Sequence, residues 1–250
     1  MKFVDAFVKS PFAGIAPWVL MSLIAGPGRF EEAASAAFGL TLVTMWAGWR
    51  RGVPVHLLEG FTAAFFGMLA VIGLLASPAV IDWLQLWAGE LSNLALAVFA
   101  VVTLAIGRPF TLPYAKDTTP EEHWDTREFR RINNVISAAW AAAFTVSAVS
   151  GAIGDAVLRD GDNFWTAWIV PLGAIIFAVS FTDFYPEYAT AEPAPPWIGA
   201  IDWLPPFVMV TGIAGLVSDS APTAVGVGCI VAGGAGTAIL RKLDPSPAAS

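Results

Sequence analysis

Residues 107–133 read GRPFTLPYAKDTTPEEHWDTREFRRIN, the one long polar interruption between two strongly apolar parts of the chain. The stretch holds Arg108, Lys116, Arg127, Arg130 and Arg131, five of the thirteen basic residues. Thr119-Pro120-Glu121-Glu122 has capping-box spacing with proline at the first helical position, where the missing N–H costs nothing. Asp125-Thr126-Arg127-Glu128 repeats the signal six residues later. The spacing predicts a short interfacial helix, a break near Asp125, and a second helix that enters the membrane at about Asn133.

On either side of this stretch the chain is too apolar to keep its surface in water. It has 56% hydrophobic and 13% charged residues over 250 positions, and its mean hydropathy is +0.67. Lipid is the expected solvent. A span needs about twenty apolar residues, and six runs meet that length approximately: 11–26, 31–49, 57–77, 88–107, 133–155 and 164–183. Residues 203–218 and 222–240 add either a helical hairpin or a re-entrant element. The first run follows Lys2 and Lys9 as a signal peptide would. Pro17 and Trp18 interrupt it, however, and the nearest Ala-x-Ala, Ala34 to Ala36, lies inside the next run, so it reads as a span.

Orientation follows from the basic residues. With the amino terminus in the cytoplasm, Lys2, Lys9, Arg50, Arg51, Arg108, Lys116, Arg127, Arg130, Arg131, Arg241 and Lys242 all lie inside, and only Arg29 and Arg159 lie outside. The reading is an all-α polytopic transmembrane helix bundle of six to eight spans, with both termini cytoplasmic. Residues 1–250 form a single membrane domain, with a cytoplasmic amphipathic connector at 108–132 and a Pro-rich connector at 184–202. The second connector, with Pro186, Pro193, Pro195 and Pro196, is expected to be extended. Tryptophans at the ends of runs form an aromatic belt. Ile81-Asp82-Trp83-Leu84 recurs as Ile201-Asp202-Trp203-Leu204, a match too short to establish a repeat.

Arg127, Arg130 and Arg131 lie where each basic residue gains about 1 kcal/mol from anionic headgroups. They are expected to contact lipid, or else a cytoplasmic partner. His56 and Glu59 share a helix face in the third run, and Glu90 and Asn93 share one in the fourth. These are the candidate intramembrane polar sites, with Glu59 expected to pair with Arg50 or Arg51. Small residues recur every fourth position at Ala139, Ala143, Ser147 and Gly151, and again at Ala224, Gly228, Ala232 and Gly236. Such stripes let another backbone approach closely.

The inventory of residues excludes several classes. Cys229 is the single cysteine, which rules out an intrachain disulfide or a thiolate cluster. No lysine lies within a span to hold retinal, and His56 and His123 do not suit a bis-histidine haem. Glu121, Glu122, His123 and Asp125 read as capping and solvated charge rather than metal ligands. No hydroxyl or thiol nucleophile has a base nearby within a span. No cofactor, metal, nucleic acid or enzymatic reaction is expected. The expected partners are membrane lipids and either a second copy or a larger membrane complex.

The order Trp49-Arg50-Arg51, an Ile81-Asp82-Trp83 turn, Gly107-Arg108-Pro109-Phe110, then a basic helix with Phe129 and Asn133 leading to Trp140 and Phe144, resembles the bacterial intracellular septation protein A family. The resemblance covers approximately residues 36–155. It implies a multi-pass protein of the bacterial inner membrane with a non-enzymatic envelope, septation or complex-assembly role. The alternative functions are a small-molecule or ion transporter and an accessory subunit of a larger membrane complex.

Overall fold

The computed structural model describes residues 11–25 and 28–243. Nine α-helices carry the described chain: α1 (Pro11–Ile24), α2 (Phe30–Trp49), α3 (Leu57–Leu75), α4 (Pro78–Ala105), α5 (Leu112–Thr118), α6 (Arg127–Ile153), α7 (Val170–Thr190), α8 (Leu204–Val217) and α9 (Thr223–Leu243). Six helical stretches are long and apolar enough to cross a membrane: Leu57–Leu75, Pro78–Ala105, Arg127–Leu158, Phe164–Thr190, Trp197–Val217 and Thr223–Leu243. The protein is an all-α polytopic bundle. Both members of the uncertain carboxyl-terminal pair are long enough to span. α1 and α2 are not among the six; α1 is short, and α2 opens with Glu31 and Glu32.

Helix ends follow local chemistry. α4 stops where Gly107 takes a φ of 71°, while Gly107 N–H donates to the Leu104 carbonyl and Arg108 N–H to that of Thr103. This left-handed stop satisfies orphan carbonyls, and Pro109 then forbids continuation. Gly52 closes α2 in the same way, with Gly52 N–H on Trp49 and Val53 N–H on Gly48. At the start of α6 the Thr126 hydroxyl accepts from Phe129 N–H at 3.2 Å, so the cap falls one residue later than the expected Asp125–Glu128 box. The first box yields only the single turn Glu121–His123. The connector's helix lies earlier than expected, at α5.

Two helix boundaries differ from expectation. α4 begins at Pro78 rather than near residue 88, because proline at the first turn starts a helix as readily as it ends one. α7 runs through Pro186 to Thr190, so the extended connector is shorter than 184–202. The ring of Trp197 packs on Tyr188, Phe184 and Phe181, with centroids 4.5, 5.6 and 6.4 Å apart. That packing holds the last turns of α7 despite the missing N–H, as neighbouring groups do for proline in membrane helices.

The core sits between α1–α4, α6 and α7. Trp18 stacks on Phe65 at 4.9 Å and donates its indole N–H to the Thr62 hydroxyl at 2.9 Å. Phe61 continues the stack to Phe99 of α4 at 4.5 Å. The outside is apolar: Leu74, Leu75 and Val217 are 80%, 81% and 83% exposed. That inversion suits a protein whose solvent is lipid.

The first small-residue stripe packs within the chain. Ala143, Ser147 and Gly151 are buried, Ala139 is partly so, and Gly151 lies under Glu90 of α4. Of the second stripe, only Gly236 packs on another helix of the described chain, against Pro205 of α8. Ala224, Gly228 and Ala232 are exposed, and nothing lies within 4 Å of a Cβ placed on Gly228. The seam against α8 is instead built from Gly226, Cys229, Gly233 and Gly236. A Cβ on Gly233 would fall 2.5 Å from both Met209 N and the Pro205 carbonyl, and one on Gly212 would fall 2.5 Å from the Gly226 carbonyl. Successive spacings of three, four and three residues keep this set on the shared face, whereas a strict four-residue repeat drifts around the helix. α8 and α9 pack chiefly on one another, and none of their residues belongs to the main core among those described.

Candidate functional site

His56 and Glu59 lie at the start of α3, one turn apart, and both face the connector. Tyr114 and Asp117 lie three residues apart on α5 and meet them pair to pair. His56 Nε2 is 2.9 Å from Asp117 Oδ2, and the Tyr114 hydroxyl donates to Glu59 Oε1 at 2.7 Å. The rings of His56 and Tyr114 meet edge to face at 4.6 Å. α1 closes the site from above: a Cβ on Gly14 would come within 3.2 Å of the Tyr114 hydroxyl and 3.5 Å of Glu59 Oε1. A methyl group there would need Leu58 and Tyr114 to yield by a few tenths of an ångström.

His56 and Tyr114 are both buried. Burial, together with the Glu59 carboxyl, pushes the Tyr114 phenol well above its ordinary value, so it acts as a donor and not as an acid. Glu59 Oε2 is buried and has no hydrogen-bond partner among the described residues. A recess of about 20 Å³ that Glu59 lines with Thr44, Gly48 and Val53 has room for about one water. The expected pairing of Glu59 with Arg50 or Arg51 gives way to Tyr114. Arg50 lies over the Trp46 ring at 5.1 Å, and Arg51 donates to the Ala47 carbonyl.

The rest of the connector is fastened below this latch. The Thr111 hydroxyl is 2.7 Å from that of Ser137 and also donates to the Asn133 carbonyl, while Asn133 Nδ2 donates to the Phe129 carbonyl. Lys116 lies 4.7 Å over the ring of Trp124. Arg127, Arg130 and Arg131 are all exposed. Arg130 pairs with Asp125 at 3.0 Å. Glu122 and His123 approach at 3.5 Å on the exposed surface.

The second polar pair does not come together as expected. Asn93 makes no side-chain hydrogen bond among the described residues, and Glu90 faces Asp155 at the carboxyl end of α6. Since α4 starts at Pro78, Glu90 lies about 18 Å along the helix rather than at its end. The chain beyond α6 widens into i→i+5 bonding at Gly154–Leu158, turns through Arg159 at φ 56°, and widens again at Phe164–Ile169. Such wide turns re-aim side chains. Here they set Asp155 toward Glu90 and leave the buried Thr166 hydroxyl without a partner among the described residues. Sequence reasoning missed Tyr114, Asp117 and Asp155. The matched three-residue spacing of the two inner pairs was the available signal for the first two.

No family model, curated protein or solved structure matches the chain.

Proposed function

We propose that this multi-pass membrane protein is a non-enzymatic component of the bacterial inner membrane, and that it serves envelope or complex assembly by holding a rigid basic platform at the cytoplasmic surface. The observation that carries the reading is the double latch of His56–Asp117 and Tyr114–Glu59, which fastens the connector to the bundle while Arg127 and Arg131 stay exposed. A tethered platform has lost its conformational freedom before it meets a partner or a lipid surface, so less ordering entropy opposes binding. The distribution of basic residues supports the cytoplasmic side for this face, and the resemblance to the septation protein A family supports an envelope role.

Anionic lipid is the favoured ligand of the platform, because a headgroup potential reads charge and not shape. Replacing Arg127, Arg130 and Arg131 all by Lys should then preserve cell morphology and the protease accessibility of the 116–131 segment. Replacing all three by Gln should expose that segment. Lost function in the Lys variant with unaltered accessibility would overturn lipid anchoring and require a partner that reads the guanidinium fork.

A further inference from the structure

The connector is not basic in sum. Between Gly107 and Asn133 its five cations, Arg108, Lys116, Arg127, Arg130 and Arg131, stand against five carboxylates, Asp117, Glu121, Glu122, Asp125 and Glu128, so its formal net charge is zero with His123 neutral. Asp117 is engaged by His56, and all five carboxylate residues are exposed. Three of them, Glu121, Glu122 and Asp125, sit on a turn that is fixed to the start of α6. The Trp124 N–H donates to the Glu121 carbonyl at 3.1 Å, and the N–H and hydroxyl of Thr126 both donate to the His123 carbonyl, at 3.1 and 2.7 Å. From this turn Asp125 takes Arg130 at 3.0 Å. Trp124, whose indole N–H donates to the Thr119 carbonyl at 2.9 Å, holds Lys116 over its ring at 4.7 Å. Two of the five cations thus already have partners that the turn supplies.

An exposed ion pair is weak in water, and so is the pull of a headgroup field on one arginine; the two are of the same order. The carboxylates therefore weigh on the outcome in two ways. Asp125 must release Arg130 before a lipid phosphate can take it, and Glu121, Glu122 and Asp125 are themselves repelled by the surface that attracts Arg127 and Arg131. We propose that the turn from Glu121 to Asp125 is an autoinhibitory contact, which competes with anionic headgroups for the arginines of the platform and raises the density of anionic lipid at which the connector attaches. Resting on the lipid reading above, this contact supplies its regulation: the connector attaches at a threshold of anionic lipid and not at any trace of it.

The test places the full chain in nanodiscs of phosphatidylcholine with an increasing share of phosphatidylglycerol. Trypsin cleavage at Arg127, Arg130 and Arg131, taken relative to its rate in phosphatidylcholine alone, measures attachment. Glu121→Gln, Glu122→Gln and Asp125→Asn together should lower the share of phosphatidylglycerol that halves cleavage by about twofold, and high salt should erase the difference. Removing three acids at the other end of the bundle, with Glu32→Gln, Asp162→Asn and Asp219→Asn, should leave that share unchanged. An unchanged midpoint in the turn variant, beside clear protection of the unaltered protein, would overturn the autoinhibitory contact and leave the lipid reading standing. So would an equal shift in both triple variants. No protection of either protein at any share of phosphatidylglycerol would sink both readings. Should the turn variant melt below the unaltered protein, Asp125→Asn alone decides by the direction in which it moves the midpoint, because the cap of α6 is made by the Thr126 hydroxyl and not by this carboxyl.

Discussion

Tyr114 donates its hydroxyl to Glu59 Oε1 across 2.7 Å, and the bond joins residues 55 positions apart in the chain. It is the shortest statement of how the connector is held. Glu59 accepts there with one oxygen, and the other has no partner among the described residues, so the Tyr114 bond is the carboxyl's one hydrogen bond among them.

Tyr114→Phe removes that bond and leaves a carboxyl poorly satisfied, which costs about 1–3 kcal/mol where a hydrogen-bond partner is deleted from a buried group. A lower melting temperature in detergent is expected, with much of the loss recovered when Glu59→Leu is added, since both polar partners are then gone. The pH dependence has a definite sign. Folding raises the Tyr114 phenol above its ordinary value near 10, so its contribution is fully present below about pH 10 and is lost as pH rises beyond it. The unaltered protein should therefore lose more stability than Tyr114→Phe between pH 9 and pH 11, measured as the difference between the two melting curves. Equal slopes would show that the phenol is not held in the buried bond.

The α8–α9 seam separates two glycines that look alike in the sequence. Gly233→Ala sets a methyl group 2.5 Å from backbone atoms of Pro205 and Met209, which cannot move aside without parting the helices, and overpacking of this kind costs about 1–3 kcal/mol. Gly228→Ala meets nothing within 4 Å, and it gains the helix propensity that glycine lacks, up to about 1 kcal/mol. Thermal denaturation of the two variants side by side should shift in opposite directions. A loss of stability in Gly228→Ala would mean that this face packs on another molecule.

Sidedness rests on the basic residues alone. Reporter fusions after Arg51, after Lys116 and at Ser250 should all report cytoplasm. A periplasmic signal after Lys116 would turn the platform to the outside and remove the basis for its contact with anionic cytoplasmic lipid.

Much of the fold could be read from local chemistry. Gly52 and Gly107 stop their helices as glycine before a polar turn should, and Thr126 caps α6 through its own hydroxyl. What remained hidden depends on rotation and on partners. α9 carries Gly226, Gly228, Gly233, Gly234 and Gly236, so several stripes of small residues run along it, and the one that packs is selected by Pro205, Met209 and Leu216 of α8. Glu59 shows the same limit. Charge suggested an arginine, but the fold supplies a phenol from a helix whose position no local pattern fixed. The Glu90 displacement was legible in principle, since Ser77-Pro78 is a helix-start signal ahead of the strongest apolar residues.

The near-independence of α8 and α9 bears on how the molecule comes apart. Their glycine seam is internal to the pair, and the contacts they make outside it are few, such as Phe164 near Gly215 and Phe207 near Gly173. A pulling force applied at the carboxyl-terminal end should therefore extract these two helices together as one early step, with the aromatic core around Trp18 yielding later and at higher force. The protein would break as two mechanical units joined by the short segment that Trp197 folds back onto α7.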